Sequence, residues 1–206
     1  MTEPHEVAES IEEVVPGVYH WRIRNSNIGG AISSSHAVVR GDDCVFIDPV
    51  RLSDDCLAKL PSPTAIVLTA RTHQRASWRY RRDFGAQVWM PADASAAEEE
   101  PDRLYEDGET LPAGLLAFRT PGPEWPHYSL LLEEDLGIVF VSDLVSRDDA
   151  GGLRVINPDY HDDPEQTRRS IEGLLDLPFS ILCLDHGAPL TTDPQAELRR
   201  VVQSCL

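Results

Sequence analysis

Short apolar runs recur along the chain at the length of β-strands and set its predicted architecture. Residues 37–40 and 44–48 are two such runs, separated by Gly41-Asp42-Asp43, whose residue types tolerate the backbone angles of a tight turn. This pattern predicts a β-hairpin. Further runs predict strands at 14–21, 65–68, 86–90, 115–119, 128–132, 138–142 and 181–184.

Helical patterns lie between these strands. Asp163 is a predicted N-cap, because Pro164 follows at the first helical position and Glu165 lies in the first turn. Other helices are predicted at 54–60, in the second part of 71–82, at 194–202, and as a short exposed helix or lid at 92–102. Strands interrupted by helices in both halves favour an α/β fold with two sheets covered by helices over a single doubly wound sheet.

The length of 206 residues predicts one domain, which we place at 14–206 after an acidic N-terminal tail at 1–13. No apolar run approaches the length of a membrane span. The acidic start also lacks the basic-then-apolar pattern of a secretion signal. We therefore expect a cytoplasmic protein.

A formal net charge of −17 excludes several classes of partner. Nucleic acids and anionic membrane surfaces both require basic protein surface, so we expect neither as a partner. Lys59 is the only lysine, and an acidic, lysine-poor composition is typical of proteins from salt-loving microbes. The halophile hypothesis predicts that unfolding depends strongly on salt, and full stability in dilute buffer would contradict it.

Four segments, taken in order, resemble landmarks of the metallo-β-lactamase superfamily. They are Val45-Phe46-Ile47-Asp48-Pro49, Ile66-Val67-Leu68-Thr69, the pair Thr120-Pro121-Gly122 and Val141-Ser142-Asp143, and Leu184-Asp185-His186-Gly187. The resemblance implies a four-layer αβ/βα sandwich with a metal site at the edge where the two sheets meet. It also implies an HxHxDH metal-binding loop directly after Thr69.

Most metal-ligand positions implied by the resemblance hold other residues. The expected ligands of the HxHxDH loop and the histidine expected after Gly122 are replaced by Ala70, Thr72, Gln74, Arg75 and Pro123. Only Asp143 and His186 remain, and these two are our candidate catalytic residues. A hydrolytic metal site needs about three protein ligands, so we expect neither the family's dinuclear site nor any other cofactor.

Arg75 would place a permanent positive charge where the resemblance implies a metal ligand. We expect Arg75, helped by Arg71, to pair with Asp143 and to stand in for the missing ion. Together with His73 and His186 these residues would line a pocket for a small anionic ligand. Two metal equivalents per purified chain would contradict this interpretation.

His73 leaves a second hypothesis open. It lies in the loop at a spacer position of the motif, where we expect local packing or hydrogen bonding. Alternatively it joins Asp143 and His186 in a mononuclear zinc or iron site, in which a metal-bound water attacks an ester, thioester or lactone. A third alternative is an interaction protein without catalysis, for which we expect a homodimer.

Two further histidines lie near the implied site. His127 follows the position of the expected metal histidine and could turn inward as a ligand, although a place at a strand edge is the simpler expectation. His161 precedes the predicted helix cap at Asp163, in a region that lines the pocket in the family that the chain resembles. We expect it to be a solvated loop residue.

Overall fold

Strands alternate with helices throughout the computed structural model, which describes residues 3–133, 136–147 and 151–204. The strands are β1 Glu12–Val15, β2 Val18–Asn25, β3 Ala31–Arg40, β4 Asp43–Ile47, β5 Ala65–Val67, β6 Gln87–Pro91, β7 Arg103–Tyr105, β8 Leu116–Arg119, β9 Tyr128–Leu132, β10 Ile138–Arg147, β11 Leu153–Val155 and β12 Ile181–His186. The α-helices are α1 Asp54–Leu57, α2 Ser77–Phe84, α3 Pro164–Leu174 and α4 Pro194–Ser204. Short 3₁₀ helices span Ser26–Ile28, Arg71–His73, Pro112–Gly114 and Pro158–Tyr160.

The strands form two sheets. The first has the order β1-β2-β3-β4-β5-β6-β7, antiparallel from β1 to β4 and parallel from β4 to β7. The second has the order β11-β10-β9-β8, and β12 pairs with β10 in parallel. The two parallel regions matter for the site, because parallel strands end at the same edge of a sheet and so bring their following loops together.

Three apolar clusters define four layers. Alternate residues of β4 point to opposite faces: Val45 and Ile47 pack between the two sheets, whereas Phe46 packs against the layer that contains α1 and α2. The outer face of the second sheet packs against α3 and α4 through residues such as Leu174 and Leu198. The structure thus confirms the predicted α/β class and its four-layer αβ/βα sandwich.

Several local predictions are confirmed by specific contacts. The predicted hairpin is formed by β3 and β4, with Arg40 opposite Asp43. The Asp163 side chain accepts a hydrogen bond from the backbone N–H of Gln166 and so caps α3, with Pro164 in its first turn. Local sequence chemistry is sufficient to determine these features.

The helix predicted as one option for 92–102 does not form. The segment is irregular, and Ala96 adopts a left-handed backbone with φ of 61°. Its backbone is instead bound to the rest of the fold, since the N–H of Glu98 donates to the side-chain oxygen of Gln74 and the N–H of Asp102 donates to the Val88 carbonyl at 3.0 Å. These tertiary hydrogen bonds override the helix propensity of an Ala/Glu-rich sequence.

The N-terminal segment, expected as a tail, contributes to the fold from Ala8 onward. Ala8 is buried and forms a parallel bridge with Leu52, and β1 then begins at Glu12. Met1 and Thr2 lie outside the described residues. Within the described ranges, none of the helices has the length and apolar character needed to cross a bilayer.

Candidate metal centre

The candidate site lies where the ends of four strands meet. Asp48 directly follows β4, and the turn that carries His73 follows β5. Asp143 lies inside β10, where the pairing with β12 shifts register between Val141 and Ser146, and β12 itself ends in Asp185 and His186. β12 also packs against β3. The parallel pairs β4–β5 and β10–β12 therefore deliver polar side chains from both sheets to one edge.

Four side chains form a tight cluster at this edge. His73, Asp143, Asp185 and His186 each offer one metal-ligand atom, and these atoms lie within 4.8 Å of one another. His186 Nε2 is 2.8 Å from Asp143 Oδ1, and His73 Nε2 is 3.2 Å from Asp143 Oδ2. The structure thus brings His73 together with the two predicted catalytic residues, rather than leaving it in local loop contacts.

Both imidazoles of the cluster are oriented by hydrogen-bond partners at their Nδ1 atoms. His73 Nδ1 lies 3.2 Å from Asp48 Oδ2 and 2.9 Å from Ser142 Oγ. His186 Nδ1 donates to the carbonyl oxygen of Ile32 at 2.6 Å. Because each Nδ1 has an outer partner, each Nε2 faces Asp143, which is the arrangement that orients histidines in metal sites.

Asp48 was not assigned to the site by sequence reasoning. It is buried and receives hydrogen bonds from the backbone N–H of Thr69, at 2.9 Å, and from the Thr69 hydroxyl. Its φ of 44° is a left-handed conformation that is unusual outside glycine. The available signal was its place after an apolar strand in the motif that ends at Pro49, but sequence alone could not show that it supports His73.

Arg75 pairs with Asp185, which corrects the predicted direct pair with Asp143. Its guanidinium donates from NH1 and NH2 to the two carboxylate oxygens of Asp185 at 2.7 and 2.6 Å. NH1 also donates to the carbonyls of Ser34 and Asp48, at 3.0 Å each. The two imidazoles already hold Asp143, whereas the buried Asp185 carboxylate matches the planar fork of an arginine.

Arg71, expected to help Arg75, binds elsewhere. Its NH2 lies 3.3 Å from Glu124 Oε2, and Glu124 Oε1 also accepts from the backbone N–H and hydroxyl of Thr72. Gln74 donates to the Arg71 carbonyl at 2.9 Å and supports the loop from within. Arg71, Thr72 and Gln74 therefore stabilise the loop and offer no imidazole or carboxylate donor.

His127 lies close to the cluster without joining it. Its Nδ1 donates to the Thr120 carbonyl at 2.8 Å, and its Nε2 accepts from the backbone N–H of Asp143 at 3.3 Å. Both ring nitrogens are thus used for backbone contacts. His127 supports the β10 segment that carries Asp143, and it is not positioned as a metal ligand.

The cluster shifts the pKa of each member through charge. Burial opposes protonation of His73, but the carboxylates of Asp143 and Asp185 outweigh it and hold its pKa well above the ordinary value. The pKa of His186 is raised against burial by the same two carboxylates. Conversely, burial opposes ionisation of both acids, yet His73 lowers the pKa of Asp143, and Arg75 lowers that of Asp185. The raised pKa values of the two imidazoles and the lowered pKa values of the two acids thus have one cause, the attraction between opposite charges.

A cavity of about 1120 Å³ opens above the cluster, with Asp143 and His186 in its lining. Four arginines also line it: Arg24, Arg71, Arg147 and Arg154. Glu124, Asp143 and Asp162 line the same cavity, so its lining carries charges of both signs. The expected solvated loop residue His161 is instead buried in the cavity wall, with 8% of its surface exposed.

Comparison with known proteins agrees with this architecture. The sequence model of the metallo-beta-lactamase superfamily matches residues 11–199. No curated protein matches the chain by sequence.

Solved structures share the fold at low sequence identity. The DIM-1 metallo-beta-lactamase superposes with a TM-score of 0.75 at 17% identity, covering 98% of this chain and 100% of that one. The mono-zinc form of the metallo-beta-lactamase FIM-1 from Pseudomonas aeruginosa gives a TM-score of 0.71 at 14% identity, covering 100% and 99%. TTHA1623 in a di-iron-bound form gives 0.66 at 24% identity, covering 82% and 93%. Because the family's sequence model spans nearly the whole chain and the fold agrees, the chain belongs to the metallo-beta-lactamase superfamily.

Proposed function

We propose that the protein is a hydrolase that holds one divalent metal ion, zinc or iron, between His73, Asp143 and His186. Its substrate class is an ester, thioester or lactone. The observation that carries this proposal is the convergence of two imidazoles on one carboxylate beside the cavity, with the Nε2 atoms of His73 and His186 at 3.2 and 2.8 Å from the oxygens of Asp143. Sequence alone favoured a site without metal, and this convergence instead supports the alternative with one ion.

The donor set fits one ion and not two. Two imidazoles and a carboxylate are a common ligand set for zinc and for non-haem iron. Asp185 is less suited as a ligand, because Arg75 already binds both of its oxygens. Ala70, Thr72, Gln74 and Pro123 offer no imidazole or carboxylate for a second ion. We therefore assign Asp185 and Arg75 a role in positioning the ligands and not in binding the ion.

Charge balance also supports a single ion. Asp48, Asp143 and Asp185 bring three negative charges, and Arg75 brings one positive charge. One divalent cation with neutral imidazoles would balance the remainder. A second divalent cation would leave a buried excess of positive charge, which is costly in an environment of low polarity.

The protein's own residues would bind and orient. Asp48 and the Ile32 carbonyl keep the Nδ1 proton of each histidine outside the cluster, so that each Nε2 is available as a donor atom. Arg75 fixes Asp185 with a carboxylate oxygen 3.1 Å from His186 Nε2. A bound divalent ion supplies a Lewis acid and a water activated for attack on a carbonyl.

A metal-free anion-binding protein is the second candidate. The raised pKa values of His73 and His186 favour it, since two protonated imidazoles and Arg75 would balance the three carboxylates without any metal. In that case the arginine-lined cavity would bind a small anion without catalysis. The two candidates differ in one measurable quantity, the number of metal ions per chain.

Elemental analysis of the purified protein, with zinc and Fe²⁺ titrations after chelation, separates the two candidates. The hydrolase proposal predicts about one equivalent, lost in Asp143→Ala and retained in Asp176→Ala, a matched change at an exposed aspartate. Hydrolysis of thioester and lactone panels should follow the metal content. Absence of uptake would contradict the hydrolase and leave the anion-binding candidate, whereas two equivalents would contradict both.

A further inference from the structure

The side chain of His161 is buried, and its two ring nitrogens are polar groups whose hydrogen-bonding capacity is not used by the described residues. Within the described ranges neither of its ring nitrogens has a hydrogen-bond partner, although only 8% of the residue is exposed. Buried polar groups are nearly always paired, so an imidazole with two unpaired nitrogens needs an explanation. It lies in the wall of the same cavity as Asp143 and His186. Both ring nitrogens are almost without accessible surface, so a ligand in the cavity would become their partner once the imidazole turns toward it.

The loop that carries His161 is fixed by its backbone. The N–H of Asp162 donates to the Pro123 carbonyl at 3.1 Å, and the N–H of Asp163 donates to the Gly122 carbonyl at 2.9 Å. At Gly122 a Cβ atom would lie 2.3 Å from the backbone nitrogen of Thr167, so the two segments approach as closely as glycine allows. His161 is therefore presented from a rigid support, as a binding residue requires.

Arg154 shares a sheet face with the catalytic cluster. It lies opposite Ser146 in the β10–β11 pair, and Ser146 lies opposite His186 in the β10–β12 pair. Directly opposed residues point to the same face of a sheet. Two strand spacings separate the backbones of Arg154 and His186 by about 10 Å. In one ligand molecule, an anionic group bound by Arg154 would thus be several bonds away from a carbonyl group placed at the proposed metal ligands.

The mouth of the cavity also has apolar side chains. Ile28 and Tyr160 are large hydrophobic residues that are 46% and 78% exposed, and both line this cavity. Tyr160 directly precedes His161 at the end of a 3₁₀ helix. Exposed apolar groups beside arginines favour a ligand that has a short apolar segment next to its charge.

We propose that His161 and Arg154 form a subsite for the anionic group of the substrate, and that Ile28 and Tyr160 cover its adjoining apolar segment. The inference rests on the proposed function, which supplies the metal site where the carbonyl reacts. It narrows the substrate class to short acyl compounds. That compound carries a carboxylate or phosphate several bonds from the carbonyl that is cleaved. His161 contacts the ligand by hydrogen bonding, and Arg154 supplies the charge.

The test measures binding rather than turnover. Hexanoate, its neutral analogue hexanamide, acetate and inorganic phosphate are titrated calorimetrically into the full-length protein as purified and again after chelation. We expect hexanoate to bind more tightly than hexanamide, and more tightly than acetate by roughly threefold per added methylene. His161→Ala and Arg154→Gln should each weaken hexanoate binding about tenfold, the loss expected for a hydrogen bond to a charged group. His5→Ala and Arg22→Gln, matched changes outside the cavity lining, should have no effect.

Nitrogen-15 NMR of the histidine rings is a direct readout on the unmodified protein, so it does not require that any variant folds. The ring nitrogens of His161 should shift on addition of hexanoate, and His161→Asn should restore part of the affinity lost in His161→Ala. Equal binding of hexanoate and hexanamide, unchanged affinity in both variants, or unmoved His161 resonances would overturn the subsite. Anion binding that survives chelation, in a protein that takes up no metal, would refute the hydrolase but retain the subsite.

Discussion

The loop after β5 and the ends of β10 and β12 contribute to the same site, but they contribute different chemistry. The strand ends supply groups that can bind metal or proton, namely Asp143, Asp185 and His186. The loop supplies one imidazole, His73, and one permanent cation, Arg75. The charge at the strand ends therefore depends on bound protons or metal, whereas the loop carries one positive charge, on Arg75, that does not.

This difference separates a permanent part of the site's charge balance from a part that depends on protons or on metal. Arg75 neutralises Asp185 with a cation that cannot be removed by chelation or by pH in the physiological range. The charges of His73 and His186 are variable, because each imidazole becomes neutral when it loses a proton, either as pH rises or when it binds a metal ion. The comparison predicts that replacing a proposed ligand, from either region, alters metal binding, whereas replacing the permanent cation Arg75 alters stability.

Asp143→Ala should have the largest effect, because Asp143 is the carboxylate between the two imidazoles. Removing one of three ligands leaves two, which is too few for a stable hydrolytic site. We expect the metal content to fall from about one equivalent to near zero and hydrolysis to be lost with it. Elemental analysis measures the metal content, and assays on the thioester and lactone panels measure hydrolysis. Unchanged metal content would assign the ion to other residues.

Arg75→Met should be the largest change in stability. It leaves the buried Asp185 carboxylate without its cation, and breaking a buried ion pair in this way costs about 3–5 kcal/mol. Urea unfolding of the chelated protein measures the loss. The double variant Arg75→Met with Asp185→Asn should recover part of it, while Arg169→Met, at an exposed position of α3, should change stability by less than about 0.5 kcal/mol. A loss as small as that of Arg169→Met would refute a structural role for the pair.

The pH dependence should separate metal-free from metal-bound protein. The pKa values of His73 and His186 are raised on folding, so their stabilisation is complete below the unfolded value of about 6.5 and is lost as pH rises through the folded values. Asp143 and Asp185 have lowered pKa values, so their stabilisation is lost as pH falls through those. The chelated protein should therefore lose stability toward both alkaline and strongly acidic pH.

Metal affinity should rise with pH over the same range. Binding at His73 and His186 displaces up to two protons, so affinity should increase up to about 100-fold per pH unit while both imidazoles are protonated. Calorimetry in buffers of different ionisation enthalpy counts the protons released. Release of none would show that the imidazoles are already neutral, and would contradict the raised pKa values.

Asp48→Asn tests the outer support of His73 and should have a smaller effect. Asparagine tolerates the left-handed backbone at this position but cannot offer the same charged acceptor to His73 Nδ1. Loss of such a partner typically lowers metal affinity by about 10–100-fold. Zinc titration against a competing chelator measures the change. Affinity equal to that of the unmodified protein would exclude Asp48 from the metal centre.

Glu124→Gln should have the smallest effect of the series. Glu124 binds Thr72 and Arg71 at the loop, away from the donor atoms of the cluster. We expect a loss of about 1 kcal/mol in unfolding free energy, the size of one net hydrogen bond, with metal affinity unchanged. A large drop in metal affinity would show that this part of the loop belongs to the metal centre after all.

Local signals explain why much of the fold could be predicted. The β3–β4 hairpin and the capped start of α3 depend on residues adjacent in sequence, and both are found where the sequence places them. The helix predicted as one option for 92–102 does not form because the segment's backbone partners, Gln74 and Val88, lie far away in sequence. A propensity-based prediction has no access to such contacts.

The sequence by itself determined the family resemblance, the absence of an HxHxDH pattern directly after Thr69, and the choice of Asp143 and His186 as candidates. Only the tertiary structure decided that Arg75 pairs with Asp185, that His73 faces Asp143, and that Asp48 supports it. The physical reason is that a motif spacing gives the order of residues along a loop but not the direction of each side chain. In this protein those directions depend on a left-handed backbone at Asp48 and Arg75, and on two sheets that bring distant strand ends to one edge.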